Sequence, residues 1–262
     1  MDIFLRRLGL VKHLVFNSFN FKRRWIVNSK IREERKYGVK NIPIFLISYN
    51  RLSYIKNSVS WLEKKGYFNI NIIDNSSTYP PLLEYYKTLK YRVFFMEKNL
   101  GHMVFWKDER FKEFRKNFYV VSDPDLLPVE DCPDDFLQRF LDVYKKYPFV
   151  KKVGFSLKTD DLPDASIFAK EAKEWEEKYY KLYLKKDYVY YAGIDTTFAL
   201  YAPDCLSESV PFLRAFRTAF PYQVRHLPWY KSENDITEED IYYSNHKTNG
   251  WWNPVVGKST PD

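Results

Sequence analysis

The sequence predicts an α/β fold: a mostly parallel open sheet flanked by helices in the Rossmann-like manner, with a basic amphipathic arm over residues 1–40 and a body over 41–262. Three observations predict it. Short continuous apolar runs recur between helix-like segments, each run closes in polar residues, and the Lys/Arg excess is confined to the N-terminal end. Strands apolar on both faces and alternating with helices imply right-handed crossovers and a buried parallel sheet. In such sheets a ligand sits beyond the carboxyl ends of the strands.

The first strand is expected in Asn41–Arg51 and its helix in Leu52–Lys65. A second unit follows, with a strand in Asn69–Ser77 and a helix over Pro81–Lys90 entered through prolines. Tyr91–Met96 reads as a short third strand leading into Glu97–Gly101, and His102–Phe114 as the next helix. The apolar run Phe118–Ser122 then delivers two carboxylates, Asp123 and Asp125, at its end. Clustered hard oxygens at a strand end are suited to holding Mg²⁺ or Mn²⁺ against a diphosphate, although Asp-Pro-Asp is also good turn chemistry.

Asp134–Tyr147, closed by Pro148, is a further helix candidate, and Lys152–Leu157 a further strand. Lys170–Lys186, rich in Glu, Lys, Trp and Tyr, reads as an exposed helix or an excursion from the body, its charges making a solvated face. Tyr190–Tyr201 gives a turn containing Gly193 and Asp195, followed by an apolar strand. Polar ends thus collect at Ser48-Tyr49-Asn50-Arg51, Asp74-Asn75-Ser76-Ser77, Asn99-Leu100-Gly101 and Asp123-Pro124-Asp125.

These four ordered motifs resemble those of GT-A glycosyltransferases, most closely family 2-like enzymes, over roughly residues 42–157. The resemblance implies a nucleotide-sugar donor half (41–157) and an acceptor half (158–262). It implies Ser48, Tyr49, Asn50 and Arg51 near the nucleotide and its phosphates, Asp74 on the base, and Asn75, Ser76, Asn99 and Gly101 beside it. Asp123 would face the ribose and donor sugar and share the metal, Mn²⁺ or Mg²⁺, with Asp125. By order and separation in several GT-A families, Asp195 is implied as the base and His226 as a third metal or diphosphate contact. A rival base lies in Glu238-Glu239-Asp240, which looks like the Glu-Asp motif of family 2 enzymes and leaves Glu239 and Asp240 as candidates. An inverting transfer needs such a carboxylate to take the acceptor hydroxyl's proton, whereas a retaining enzyme does not. A UDP-sugar donor and a surface glycan or glycolipid acceptor are the partners implied, as in polysaccharide biosynthesis.

Charge narrows the setting. Residues 1–40 hold eleven Lys/Arg against Asp2, Glu33 and Glu34, while 41–262 hold 31 of each sign. Phe4, Leu8, Val11 and Val15 recur at helical spacing among Arg6, Arg7 and Lys12, the pattern of an interfacial membrane anchor or, as the alternative, of a helix packed on the body with a solvated basic face. No run approaches the ~20 apolar residues of a spanning helix. The expectation is a protein peripheral on the cytoplasmic face of a membrane. Nucleic acid is disfavoured as a partner because the neutral body continues no basic groove. Cys132 and Cys205 carry no metal or disulfide spacing, which fits a reducing compartment. Aromatics at 19% are shared between core and a candidate sugar site, where planar rings stack on pyranoses. Trp251 and Trp252 could form a flap over that site or cover the core. Two other classes stay open: a nucleotidyltransferase, disfavoured by the lack of a Gly-rich basic loop after the first strand, and a noncatalytic lipid- or nucleic-acid-binding adaptor.

Overall fold

A computed structural model describes residues 21–204, 215–246, 252–255 and 257–258. The expected helix around Phe4–Val15, with Cys205 and Trp251, lies outside the described residues. The described part of the chain opens on helix α1 (Phe21–Tyr37), then runs through β1 (Ile44–Ser48), α2 (Leu52–Lys64), β2 (Ile70–Asp74), α3 (Pro80–Thr88), β3 (Arg92–Phe95), α4 (Val104–Lys107) and β4 (Tyr119–Ser122). It continues through β5 (Leu126–Pro128), α5 (Phe136–Lys146), β6 (Lys152–Leu157), α6 (Ala169–Glu177), β7 (Tyr183–Leu184), β8 (Val189–Tyr191) and β9 (Ala199–Tyr201). The long strand β10 (Ala215–His226), helix α7 (Glu238–His246) and the small ladder β11 (Trp252–Asn253) with β12 (Gly257–Lys258) complete it.

One ten-stranded mixed sheet organises the molecule in the order β3-β2-β1-β4-β9-β6-β10-β8-β7, with β5 paired to β10. The β3-β2-β1-β4 half is parallel. Beyond it β9 runs antiparallel to both β4 and β6, and β10 parallel to β6. The expectation of a mostly parallel sheet therefore holds for the first half. Side chains alternate faces along a strand, so Ile44 and Leu46 of β1 join one apolar layer while Phe45 and Ile47 join the other. Both faces being covered explains why β1 reads as an unbroken apolar run.

Helices α1, α2, α3, α5 and α6 cover one face, with Ile55, Leu62, Leu82, Phe136 and Phe140 at its centre. On the other face the expected helix 102–114 is only the single turn α4, followed by 3-10 turns at Glu109–Phe111 and Phe114–Lys116. There Phe105 and Phe111 stack on one another and contact Phe45, an aromatic layer that replaces helix length with ring area. Much of the aromatic excess is thus core. Lys170–Lys186 also departs from expectation, because its helix ends at Glu177 and the chain returns as β7.

Close approach of β6 to β9 requires Gly154, where a Cβ would meet Phe198 O at 2.5 Å. Helix α1, from the basic arm, packs on the body through buried Val27 and Ile31. Arg23 donates to the carbonyls of Pro148 and Val150, and Arg35 pairs with Asp142 of α5. No described helix is long and apolar enough to cross a membrane.

Candidate functional site

The carboxyl ends of β1, β2 and β4 converge, and the loops leaving them are tied together by the motif side chains. Asn50, in the left-handed region at φ 51°, is fully buried. Its Oδ1 accepts from the backbone N–H of Thr78 and Tyr79 at 2.7 and 2.9 Å, and its own N–H donates to Ser77 Oγ. Asn75 Nδ2 donates to Asn99 Oδ1 and Gly101 O, while its Oδ1 accepts from Leu100 N. Gly101 adopts φ 74°, a conformation that favours glycine. Ser48 lies buried at the end of β1, and Ser76, at φ 69°, sits half-buried in the turn.

Asp74 is buried at the end of β2, where its oxygens accept from Ser77 N at 2.9 Å and Tyr86 OH at 3.1 Å. Burial pushes this carboxyl above its usual range despite those bonds. One oxygen closes the turn and the other meets Tyr86 of α3, so Asp74 braces the loop against that helix. Asp-Asn-Ser-Ser here works largely as turn chemistry.

Asp123 and Asp125 follow β4 and are both half-buried. Asp123 N donates to Thr196 O at 2.9 Å, and Thr196 Oγ1 donates to the Asp123 carboxylate. Leu46, Trp61, Leu126 and Phe198 line a cavity of about 10 Å³ that Asp123 also borders. Desolvation, then the charges of Asp125 and Asp195, push Asp123 well above the carboxylate range, against the bond from Thr196. Asp125 is shifted the other way. Burial would raise it, but His226 and then Arg51 outweigh that and leave it low.

His226 reaches Asp125 through sheet register. It ends β10, pairs antiparallel with Leu126, and so lies beside a residue a hundred positions earlier. Leu227 N donates to Asp125 O at 2.8 Å, and His226 Nε2 stands 3.2 Å from Asp125 Oδ2. His226 Nδ1 is buried with no partner among the described residues, and the ring packs against Trp229 at 4.6 Å.

Asp195 sits on the loop between β8 and β9, exposed and free of hydrogen bonds and ion pairs among the described residues. Its neighbours fix that loop. Ile194 is buried in the second apolar layer, and Thr196 bonds Asp123. Arg217 Nε donates to Gly193 O at 2.6 Å, while its guanidinium pairs with buried Glu176 and lies 4.1 Å over the Tyr179 ring. The α6 charges are therefore not all a solvated face: Glu176 anchors this loop through Arg217, an arrangement that single-segment periodicity does not reveal.

The rival acids are committed elsewhere. Glu239 accepts from Ser53 N and Oγ in the first turn of α2, supplying the open helix terminus with a cap from another helix. Asp240, fully buried, pairs with Arg51 and Lys231 and accepts from Thr237 N and Oγ1. Burial would raise its pKa, but the bonds from Lys231 and Thr237, then Arg51, hold it down at about 2. Arg51 also lies over Tyr243 at 4.1 Å and Tyr54 at 5.0 Å. Helix α7 thus roofs the β1 end, with Tyr49 OH donating to His246 O and Tyr242 OH to Thr78. Lys231, Thr196, Tyr54 and Tyr243 belong to this constellation without a motif to announce them. Trp252 packs against Trp229 and Phe168 as cover for the core.

Among the described residues no set of three His, Cys, Asp or Glu side chains is gathered to hold a metal alone. The donor set does fit an ion shared with a diphosphate. Mg²⁺ takes one or two carboxylates and completes its shell with phosphate and water, and half-buried Asp123 and Asp125 supply such oxygens. Burial first, and then the like charge of Asp125, make an ionised Asp123 a source of instability. Its raised pKa means that its contribution to stability is present in acid and lost as pH rises through the folded value. Asp123→Asn, keeping an acceptor for Thr196, is therefore expected to raise Tm by a few degrees at neutral pH and to shrink that difference in acid, as read by thermal melts across pH.

No family model matches the chain, and no curated protein matches it.

Proposed function

We propose that the chain is a metal-dependent GT-A glycosyltransferase that moves a sugar from a nucleotide diphosphate donor, a UDP-sugar by preference, to a glycan or glycolipid hydroxyl with inversion. The observation that carries this reading is the convergence at the carboxyl-terminal edge of the parallel strands of an Asp125 with lowered pKa, a half-buried Asp123 and an exposed, unengaged Asp195 on a fixed loop. The motif loops around Asn50 and Asn75 frame the donor side of that edge.

Asp123 and Asp125 would hold a Mg²⁺ or Mn²⁺ ion, with His226 beside Asp125. Bound there, the ion would stabilise the charge of the departing nucleoside diphosphate, so no protein acid is needed at the leaving group. Arg51, held by Asp240 together with Lys231, adds fixed positive charge near Asp125. Asp195 takes the acceptor hydroxyl's proton as that oxygen bonds to the anomeric carbon and the bond to the diphosphate breaks. Asp240 is the weaker candidate for this step because both its oxygens are occupied and its basicity is low.

Calorimetry and thermal shift with UDP, GDP, dTDP and CDP, each with and without Mn²⁺, test the reading on wild type and Asp125→Ala. Metal-dependent binding of one nucleotide is expected, and Asp125→Ala should lose at least about tenfold of the metal-dependent affinity. A folded wild type that binds none of them overturns the proposal. So does release of pyrophosphate from a nucleoside triphosphate plus a sugar phosphate, which would favour nucleotidyl transfer.

A further inference from the structure

Helix α1 has two chemically distinct sides. Val27 and Ile31 turn inward onto the body. At 100° per residue, the side opposite them carries Lys22, Trp25, Arg32 and Lys36, with Phe21 on its flank. Phe21 and Trp25, one turn apart, are 71% and 68% exposed, the most exposed of the large apolar side chains described. Lys22, Arg24, Arg32 and Lys36 are exposed, and none is in an ion pair with a described residue. One acidic residue, Glu33, shares the outward side, where it is paired with Lys30, and Glu34 is turned partly inward.

We propose that this outward side of α1 is a docking surface for an anionic lipid bilayer, with the helix lying in the plane of the interface. Indole and phenyl rings are favoured at headgroup depth, and basic side chains beside them meet acidic headgroups. Charge complementarity selects this occupant. All of the chain's net positive charge lies in residues 1–40, so an anionic surface attracts the end that bears α1 and is indifferent to the neutral body. A nucleic-acid backbone would need the basic track to continue onto that body, and it does not. This inference is independent of the transferase reading.

The full-length chain is to be sedimented with vesicles of phosphatidylcholine alone and of phosphatidylcholine mixed with phosphatidylglycerol, at low and high salt. Wild type is expected to bind the mixed vesicles, to release from them in high salt, and to ignore phosphatidylcholine. Two double variants carry the assignment: Phe21→Ser with Trp25→Ser, and Arg32→Glu with Lys36→Glu. The positions are exposed, so Tm should be unchanged, and each variant should bind the mixed vesicles at least about fivefold more weakly. Undiminished binding by both variants would place any lipid affinity outside α1 and overturn the proposal. Failure of wild type to bind, equal binding to phosphatidylcholine alone, or loss of a wild-type dimer in the variants would overturn it as well.

Discussion

Asp195→Asn is expected to fold with the wild-type Tm, to bind nucleotide and Mn²⁺ as wild type does, and to lose about 10²–10⁴-fold in the rate of sugar transfer. The expectation follows from where the side chain sits. It is exposed and engages no described partner, so the amide disturbs no contact, while the loop stays held by Ile194, by Thr196 on Asp123 and by Arg217 on Gly193. Loss of transfer with donor affinity unchanged is the signature of a group that acts only as the acceptor oxygen attacks. Steady-state kinetics with calorimetry on the same preparation checks this. Wild-type turnover in the variant would remove Asp195 from the mechanism and, with Asp240 occupied, point to a retaining reaction that needs no base.

Asp240→Asn should behave in the opposite way and fail first as a stability mutant. Asp240 is the shared partner of Arg51 and Lys231, whose side chains are 7% and 16% exposed. Removing one member of a buried ion pair leaves its partners as uncompensated charge and costs roughly 3–5 kcal/mol. In a chain of this size that lowers Tm on the order of 10 °C. The pH dependence has a definite sign. Asp240 is depressed from its ordinary value of 3.8 to about 2 in the folded state, so its contribution is present above 3.8 and is lost as pH falls towards about 2. The interval corresponds to about 2 kcal/mol. Wild type should therefore lose stability across that window more steeply than Asp240→Asn, as read by denaturant titration at several pH values. A variant of normal stability and negligible turnover would return Asp240 to the role of base.

The two substitutions separate acids that sequence alone leaves equivalent. Asp195 and Asp240 both stand near an apolar run, and both are placed in order after Asp123-Pro124-Asp125. Their difference lies in what the rest of the chain brings to them: Thr196, Arg217 and Glu176 fix the backbone around one, and Arg51, Lys231 and Thr237 surround the other.

Sequence by itself determined the parallel half of the sheet and the place of its polar strand ends. An unbroken apolar run such as Ile44–Ser48 is stable only with both faces covered, and that condition is written into five consecutive residues. The same local logic located Asp123 and Asp125 at a strand exit. It overstated the helix at 102–114, where Phe105 and Phe111 gain more by packing on Phe45 than by extending a helical ladder. Only the tertiary structure put His226 beside Asp125, because antiparallel pairing of β5 with β10 couples residues a hundred positions apart. It alone turned Asp74 into a turn anchor, Glu239 into a cap for α2 and Asp240 into the counter-ion of two cations. A motif specifies which groups a strand end carries. Whether a carboxylate stays free or is consumed depends on what the packing of distant segments brings within hydrogen-bond reach, and no local period encodes that.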